Sequence, residues 1–319
     1  MPLLRIDDVR AAAKRIDGQH VRTPLLPCAW ISDSAWIKPE NLQPTGAFKI
    51  RGAMNAVGTL AENDRARGLI AYSSGNHGRA VAWAARRYGV TAVIVMPDTT
   101  PKVKIDGVRA LGAETVLVPA AEREIRAEAL MAERGLVLIP PFDHPDVIAG
   151  QGTAGLEIVE DVPDVDTVLV PVSGGGLISG IAVAVKALRP SARVVAVEPE
   201  LAADVAEGFR LGRRVSWDDG RTGRTVADAL RVPSASELTW RHIEALVDDA
   251  ITVTDDEILA AMTRLATDAR IVAEPSGAVS VAAALYRPGV ASGRTVAVVS
   301  GGNVEPALLA GRLGRNADW

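Results

Sequence analysis

Short, continuously apolar stretches alternate with amphipathic stretches along most of this chain, and this alternation constrains the fold more than any other feature. Leu69–Tyr72 and Thr295–Val299 have the length and apolar character of buried strands, whereas 78–87 and 177–188 have the length and pattern of helices. Continuous apolar runs suit parallel strands that helices cover on both faces. The sequence therefore predicts an α/β protein with two open, mostly parallel twisted sheets flanked by helices.

The same alternation predicts the domain organisation. Further strands are expected at 91–96, 115–118, 136–139, 167–172 and 194–197, with helices at 102–111 and 121–134. The N-terminal segment has no complete α/β unit of its own, so we expect it to pack on the later series of strands. This predicts a small domain of residues 67–142 and a large domain of residues 1–66 plus 143–319. The polar stretch 208–224 is expected to be a surface excursion.

Composition limits the classes of function. The net charge is −4 and the basic residues are scattered, which argues against nucleic acid or an anionic membrane as a partner. No window of about 18 uncharged apolar residues exists, and the N-terminus lacks the apolar core of a signal peptide. The single cysteine, Cys28, excludes an internal disulfide and suits a reducing compartment. We expect a cytoplasmic enzyme or binding protein.

Lys49 is the first candidate for chemistry. It follows a Pro-Thr-Gly turn and lies between Phe48 and Ile50, which would shield its amine from water. Burial lowers the pKa of an amine and frees the neutral form, which can attack an aldehyde. Taken alone, the pattern is more typical of a surface lysine at the start of a helix.

Two loops between a strand and a helix are candidate anion sites. The loop Ser-Ser-Gly-Asn-His-Gly begins at Ser73, and Ser-Gly-Gly-Gly-Leu begins at Ser173. Free backbone N–H groups at a helix N-terminus attract anions, and glycines let a phosphate approach closely. The second loop is not a dinucleotide fingerprint, because Ser179 stands where the third glycine would be. A capped turn remains the alternative for the first loop, and a tight turn for the second.

Two weaker features follow other predicted strands. Ser300 comes directly after the last apolar run, where ligands commonly bind in open α/β sheets. Glu198 and Asp204 flank a turn after another strand, and two carboxylates with a backbone carbonyl suit a hard divalent cation. Acidic residues in the first turn of a helix are the alternative explanation of the second feature.

Together these segments resemble the serine/threonine dehydratase and serine racemase family, which are fold type II enzymes that use pyridoxal 5′-phosphate (PLP). The resemblance runs from about residue 22 to residue 303, and five motifs agree in type and order. It implies that PLP lies in the cleft between the two domains. It also implies that Lys49 carries the cofactor as a Schiff base and acts as the base at Cα of the substrate.

The resemblance implies the other site residues as well. Cofactor contacts are expected at Phe48, Lys49, Asn76, Gly174, Gly175, Gly176, Leu177 and Ser300. Substrate contacts are expected at Ser73, Ser74, Asn76, His77 and Arg123. The spacing of Glu198, the carbonyl of Ala202 and Asp204 is similar to the Mg²⁺ or Mn²⁺ site of the racemase-like branch.

The activity implied is elimination of water from L-threonine or L-serine to give a 2-oxo acid and ammonia. Ser74 leaves a second activity open, because serine racemases have a serine at this position that protonates Cα from the opposite face. A serine racemase with side dehydratase activity therefore remains an alternative. So does an ammonia-lyase for another β-hydroxy amino acid, such as hydroxyaspartate or phenylserine. The resemblance further implies a homodimer and a small amino acid as the binding partner.

Overall fold

The computed structural model describes residues 2–73, 75–100 and 102–314. Within these residues, ten strands form two sheets with helices packed around them. The six-stranded sheet has the order β1-β2-β10-β7-β8-β9, and only β1 runs antiparallel to its neighbour. Its strands are β1 (Leu26–Pro27), β2 (Ala35–Pro39), β7 (Thr167–Pro171), β8 (Arg193–Pro199), β9 (Asp249–Val253) and β10 (Thr295–Val299).

The four-stranded sheet is built from one continuous part of the chain. Its order is β5-β4-β3-β6, and its neighbouring strands are all parallel. The strands are β3 (Leu69–Tyr72), β4 (Ala92–Pro97), β5 (Glu114–Val118) and β6 (Val137–Leu138). Two mostly parallel sheets flanked by helices confirm the fold class expected from the alternating apolar pattern.

Helices connect the strands and cover both sheets. Several have clear end signals, such as the capping box from Thr254 to Glu257 and the left-handed glycine after Tyr88. The helices are α1 (Ile6–Ile16), α2 (Lys49–Thr59), α3 (Glu62–Ala66), α4 (Asn76–Tyr88), α5 (Lys102–Arg109), α6 (Arg123–Arg134), α7 (Pro145–Asp161), α8 (Gly176–Leu188), α9 (Asp204–Leu211), α10 (Asp219–Thr222), α11 (Glu237–Leu246), α12 (Asp255–Asp268), α13 (Pro275–Tyr286) and α14 (Pro306–Gly314). Short 3₁₀ turns lie at Glu40–Leu42, Ala120–Glu122 and Asp228–Leu230.

The six-stranded sheet is buried on both faces. Along β10, Val296 and Val298 pack into one apolar cluster with α8, whereas Ala297 and Val299 pack into another with α13. Successive side chains of a strand point to opposite faces, so a strand covered on both faces is apolar along most of its length. This is the physical reason why β10 was recognisable as a continuous apolar run.

Three segments differ from the sequence expectations or extend them. The strand β2, which was not predicted, pairs in parallel with β10 and so places the N-terminal segment in the six-stranded sheet. The edge strand β9 was also missed. The stretch 208–224, expected as a surface excursion, contains the end of α9 and all of α10, and Thr222 is fully buried.

The segments that carry the sequence motifs all follow the carboxyl ends of strands. The loop after β3 leads into α4, the loop after β7 leads into α8, and Ser300 follows β10. Asn76 of α4 contacts Glu274, which precedes α13, and Asn303, which follows β10, so the carboxyl ends of the two sheets face one cleft. Among the described residues, no helix has the length and apolar character needed to cross a membrane.

Candidate active site

Lys49 is the first residue of α2, and the segment before it is docked on the end of β10. The backbone N–H of Phe48 donates a hydrogen bond to the carbonyl oxygen of Ser300 at 3.1 Å. Ala47 and Gly301 form an isolated antiparallel bridge beside it. These contacts fix the start of α2, and therefore Lys49, at the carboxyl end of β10 in the six-stranded sheet.

The amine of Lys49 is partly shielded from water. Its Nζ donates a hydrogen bond to the carbonyl oxygen of Pro141 at 2.7 Å and lies 5.1 Å from the centre of the Phe48 ring. Burial lowers the pKa of Lys49 to about 8, because no carboxylate compensates the loss of hydration. A substantial fraction of the amine is thus neutral near physiological pH and able to form a Schiff base.

The glycine loop after β7 is held on two sides. A Cβ atom on Gly174 would lie 2.4 Å from Cδ1 of Phe142, so the Phe142 ring packs directly on the loop. Gly175 has φ +88°, and a Cβ there would lie 2.8 Å from Cβ of Thr239. The hydroxyl of Thr239 donates to the carbonyl oxygen of Gly174 at 2.8 Å. Both positions therefore require glycine.

This loop has the donors that a phosphate requires. Within the described part of the chain, the backbone N–H groups of Gly174, Gly175, Gly176 and Leu177 have no hydrogen-bond acceptor. They precede and begin α8, whose dipole favours an anion at this end. The unused donors and the absence of side chains on the loop fit the phosphate group of PLP.

Ser300 lies at the end of β10 and is buried. Its hydroxyl donates a long hydrogen bond of 3.4 Å to the carbonyl oxygen of Ser276 in the first turn of α13. The residue therefore presents a neutral hydroxyl, not a carboxylate, at this position of the cleft. A hydroxyl suits an unprotonated pyridine nitrogen, as the resemblance implies.

Asn76, the first residue of α4, has its amide fixed by two partners. Its Nδ2 donates to Oε1 of Glu274 at 2.6 Å, and its Oδ1 accepts from Nδ2 of Asn303 at 2.7 Å. Asn303 in turn accepts from a guanidinium nitrogen of Arg79 at 2.6 Å. One N–H of the Asn76 amide remains available for the phenolic oxygen of PLP.

No role was expected for Glu274 or Asn303 from the sequence. Burial and the charge of Asp228 raise the pKa of Glu274 to about 7, although the hydrogen bond from Asn76 opposes this shift. An acidic residue directly before a Pro-Ser-Gly helix start was the only signal in the sequence. It did not show that the carboxyl group points into the cleft.

Two of the other residues expected to contact the substrate, Ser73 and His77, lie directly before α4 or in its first turn, whereas Arg123 does not. His77 is buried and bonds through Nε2 to the carbonyl oxygen of Ile139 at 2.8 Å. Burial and the nearby charge of Lys49 lower the pKa of His77 to about 3, so its ring is neutral. The hydroxyl of Ser73 accepts from the N–H of Gly75 at 3.2 Å. Arg123 starts α6, where its Nε donates to the carbonyl oxygen of Ala120 at 2.8 Å. Ser74 lies outside the described residues.

The candidate cation ligands form a separate group at the carboxyl end of β8 and the start of α9. Glu198 is fully buried and accepts from the N–H groups of Val205 and Ala206 at 3.2 and 2.7 Å. Asp204 starts α9, and its buried Oδ1 has no hydrogen-bond partner among the described residues. Burial and the charge of Asp204 raise the pKa of Glu198 well above its usual value, and burial raises the pKa of Asp204 to about 7.

The unpartnered oxygen of Asp204 is compatible with a bound cation. The small number of carboxylates in this group is less favourable. Oδ1 of Asp204 is a buried acceptor that needs a donor or a metal ion. Ala202, whose carbonyl is the third expected ligand, is also buried. The described residues contain no group of three or more His, Cys, Asp or Glu side chains placed to bind a metal. A cation here would therefore depend on backbone oxygen and water.

A buried charge cluster beneath Lys49 was missed by the sequence reasoning. Arg51 donates to Glu40 at 2.7 Å and to Glu157 at 2.6 Å, and Lys38 donates to Glu157 at 2.5 Å. Side chains of Lys38, Glu40 and Arg51 are fully buried, so the two cations and two carboxylates compensate one another. Because Arg51 belongs to the first turn of α2, this cluster holds the helix that carries Lys49.

Comparisons with known proteins agree with this geometry. The family described as pyridoxal-phosphate dependent enzymes matches residues 16–301. The chain belongs to this family. PLP is therefore its cofactor, in agreement with the desolvated lysine and the unused donors of the glycine loop.

Several relatives cover almost the whole chain. L-threonine ammonia-lyase of Thermotoga maritima is 40% identical over 313 residues, which cover 96% of this chain and 77% of that protein. L-threo-3-hydroxyaspartate ammonia-lyase of Saccharomyces cerevisiae is 40% identical and covers 93% of both proteins. The solved structure of maize serine racemase is 38% identical, with a TM-score of 0.91 and coverage of 98% of both chains. The relatives thus confirm the fold type II resemblance and include the three activities that the sequence left open.

Proposed function

We propose that the protein eliminates water from L-threonine or L-serine and releases a 2-oxo acid and ammonia. The observation that carries this proposal is the amine of Lys49, which is desolvated, has a pKa of about 8 and is held in the cleft by Pro141. A general base acts best when its pKa lies close to the working pH. Relatives named threonine ammonia-lyase and threonine dehydratase support the reaction type.

The chain's own residues would divide the work as follows. When bound, PLP supplies the electron sink that makes the Cα proton of an amino acid acidic. Lys49 would hold the cofactor and then remove the Cα proton. Gly174, Gly175, Gly176 and Leu177 would bind the phosphate through their N–H groups. Phe48 lies beside Lys49, and Asn76 and Ser300 would contact the ring of the cofactor.

The loop at the start of α4 would bind the substrate carboxylate. Its N–H groups point out of a helix N-terminus, which attracts anions. We assign this role to the segment from Ser73 to His77, including Ser74. The neutral ring of His77 is held by Ile139, so its contribution would come from the backbone. Arg123 would add a positive charge near the same loop.

Serine racemisation is the second candidate, because Ser74 provides a hydroxyl in the sequence where racemisation needs a second proton donor. The likeness to maize serine racemase supports it. The relative that acts on hydroxyaspartate supports a third substrate, and the proposal extends to phenylserine as a bulkier member of the same chemical class.

We further propose a Mg²⁺ or Mn²⁺ ion bound by Glu198, the carbonyl of Ala202 and Asp204. The unpartnered oxygen of Asp204 supports this assignment. The proposal also includes a homodimer in the cytoplasm, as expected from the family resemblance and from the single cysteine.

The domain division forms part of the same proposal. Residues 67–142 would form a small domain, because all strands of the four-stranded sheet lie between Leu69 and Leu138. Residues 1–66 and 143–319 would form the large domain. The small domain would close on the large one when substrate binds and exclude water from the reacting atoms.

One assay tests the proposed activity. The PLP-loaded protein is incubated with L-threonine or L-serine in the presence of Mg²⁺, and 2-oxo acids and D-serine are quantified by chromatography. We expect rapid formation of a 2-oxo acid with little D-serine. Mainly D-serine would favour the racemase. Activity with hydroxyaspartate or phenylserine alone would identify a bulkier β-hydroxy amino acid as the substrate. The proposal would be contradicted if none of these amino acids gave a product.

A further inference from the structure

Lys104 and Asp228 form an ion pair across the cleft. Nζ of Lys104 in α5 donates to a carboxylate oxygen of Asp228 at 2.6 Å. The helix α5 belongs to the layer around the four-stranded sheet, whereas Asp228 starts a 3₁₀ turn that packs on α13. In the part of the chain that the structure describes, no other ion pair joins the layers of the two sheets in this way.

The Asp228 side of the pair is anchored at the proposed cofactor site. The N–H of Ala229 donates to Oγ of Ser276 at 3.0 Å, and the carbonyl oxygen of Ser276 accepts from Ser300. Four residues after Asp228, the N–H of Val232 donates to Oγ of Ser173, which begins the glycine loop. The segment 228–232 therefore contacts both ends of the site expected to hold PLP.

The Lys104 side of the pair is connected to the proposed substrate loop. The helix α5 packs on α4, and the guanidinium of Arg79 lies against Gly107 of α5. The helix α4 begins with Asn76 and is preceded by the loop proposed to bind the substrate carboxylate. Lys104 is therefore connected to that loop through two helices that pack against each other.

The charges of Lys104 and Asp228 also affect the pKa of Glu274, whose carboxyl group accepts a hydrogen bond from Asn76. Burial is the largest cause of the raised pKa of Glu274, the charge of Asp228 raises it further, and Lys104 lowers it. The pair is thus within electrostatic reach of the contacts that join α4 to the six-stranded sheet. Its two charges are partly shielded from water, since the Lys104 side chain is 16% exposed and that of Asp228 is 40% exposed.

We propose that Lys104 and Asp228 are a positioning pair that holds α4 and α5, with the proposed carboxylate-binding loop, against the cofactor-binding residues. The pair is not among the residues assigned to substrate or PLP, and it acts by favouring the closed arrangement of the cleft. Its effect on turnover rests on the proposed function, whereas its effect on the position of α4 and α5 does not.

Loss of the pair is expected to weaken substrate binding and so to raise KM, while the residues of the cofactor site remain in place. A partly exposed ion pair contributes up to about 1 kcal/mol, which corresponds to a change of about fivefold in an equilibrium. We therefore expect Lys104→Glu and Asp228→Lys each to raise KM at least about fivefold, because each also adds repulsion. PLP should still bind, and KM should change more than the affinity for PLP, because neither variant alters Lys49 or the glycine loop. Ionic strength should raise KM of the native protein more than that of Lys104→Met.

The decisive experiment is the double charge reversal in the PLP-loaded protein. Lys104→Glu combined with Asp228→Lys should recover most of the KM lost in each single variant, since the pair is restored with its charges exchanged. The pair formed by Arg134 and Glu114, at 2.7 Å within the layer of the four-stranded sheet, is the matched control. Reversing it should leave KM unchanged. Additive losses in the double variant of Lys104 and Asp228 would overturn the proposal.

A second measurement separates this inference from the proposed function. Hydrogen exchange of the PLP-loaded protein without substrate should be faster in α4 and α5 of each single variant and return to the native rate in the double variant. Lys104→Met provides the same test if a reversed charge lowers the folded population. If no amino acid is turned over, the proposed function is wrong. Hydrogen exchange would still show whether the pair holds α4 and α5 in position. Unchanged exchange in all variants would overturn the inference.

Discussion

The amine of Lys49 donates a hydrogen bond to the carbonyl oxygen of Pro141, 92 residues further along the chain. The next residue, Phe142, packs its ring on Gly174 of the glycine loop. One short segment thus contacts both the lysine and the loop that would bind the two ends of PLP. The spacing between the amine and the phosphate site is therefore set by Pro141 and Phe142 as well as by the two motifs themselves.

Lys49→Ala should abolish turnover, because it removes the amine that is proposed to hold the cofactor and to act as the base. Borohydride reduction followed by mass spectrometry should show a covalent pyridoxyl group on the native protein and none on the variant. Lys14→Ala, which removes an exposed lysine of α1, should behave like the native protein. Turnover retained by Lys49→Ala would refute the assigned role.

Gly174→Ala should weaken PLP binding and lower the melting temperature. The new methyl group would overlap the Phe142 ring, and overpacking of this kind typically costs about 1–3 kcal/mol. Equilibrium dialysis and thermal unfolding measure the two effects. Adding Phe142→Ala should relieve part of the loss, because it removes the overlapping ring. Gly311→Ala, at a helical position with open space, should be neutral or slightly stabilising.

Glu157→Gln should destabilise the protein at neutral pH and flatten its response to acid. Burial alone would raise the pKa of Glu157, but hydrogen bonds from His20 and Arg51 hold it well below its usual value. The stabilisation is therefore complete above the unfolded-state pKa of about 4.3 and is lost as the pH falls towards the folded-state value.

Melting temperatures measured between pH 7 and pH 3 test this prediction. Removing one partner of a buried ion pair typically costs about 3–5 kcal/mol, so the variant should melt well below the native protein at pH 7. The difference between the two should narrow as the pH decreases. Glu160→Gln, which alters an exposed ion pair with Arg22, is the control and should change little. A constant difference across this pH range would show that the carboxylate charge is not responsible.

Mg²⁺ or Mn²⁺ should raise the melting temperature of the native protein, since a ligand that binds only the folded state stabilises it. At 100 times the dissociation constant the gain is about 2.7 kcal/mol. Asp204→Asn should remove the effect, whereas the exposed substitution Glu244→Gln should preserve it. If added cation leaves the native melting temperature unchanged, the assignment to Glu198, Ala202 and Asp204 is wrong.

Ser74→Ala should suppress D-serine formation while sparing elimination from L-serine, because only racemisation needs a proton donor on the second face of Cα. The ratio of D-serine to 2-oxo acid, measured in the same reaction, reports the change. Ser73→Ala serves as the neighbouring control and should affect both products alike. An unchanged ratio in Ser74→Ala would remove Ser74 from any acid–base role.

The sequence predicted the features that depend on local pattern. The strands β3 and β10 were recognisable as short apolar runs, and the glycine loop could be read from three consecutive glycines that precede a helix. The strand β2 was missed because it carries Lys38 in its interior. That lysine is compatible with a buried strand only because Glu157, 119 residues away, compensates its charge. No local pattern contains that information.

The same reason explains the residues of the cleft that were not assigned. Asn303 contacts Asn76 over a separation of 227 residues, and Glu274 contacts it over 198. His242, for which the sequence indicated no role, is fully buried and accepts a hydrogen bond from the N–H of Leu4. Contacts between distant segments set the role of each of these polar side chains, and a single sequence does not show which segments meet.

The pairing of β2 with β10 has a consequence for biosynthesis. Strand β2 leaves the ribosome early, but its parallel neighbour ends at Val299, so β2 must wait for nearly the whole chain before it can be incorporated. The strands of the four-stranded sheet, by contrast, are complete once Leu138 has emerged. During translation the nascent chain would therefore present one finished sheet while β2 is paired only with the short strand β1 and still lacks β10. A chaperone that acts on this protein should bind the segment before Lys49 and should release it only after the last strand has been synthesised.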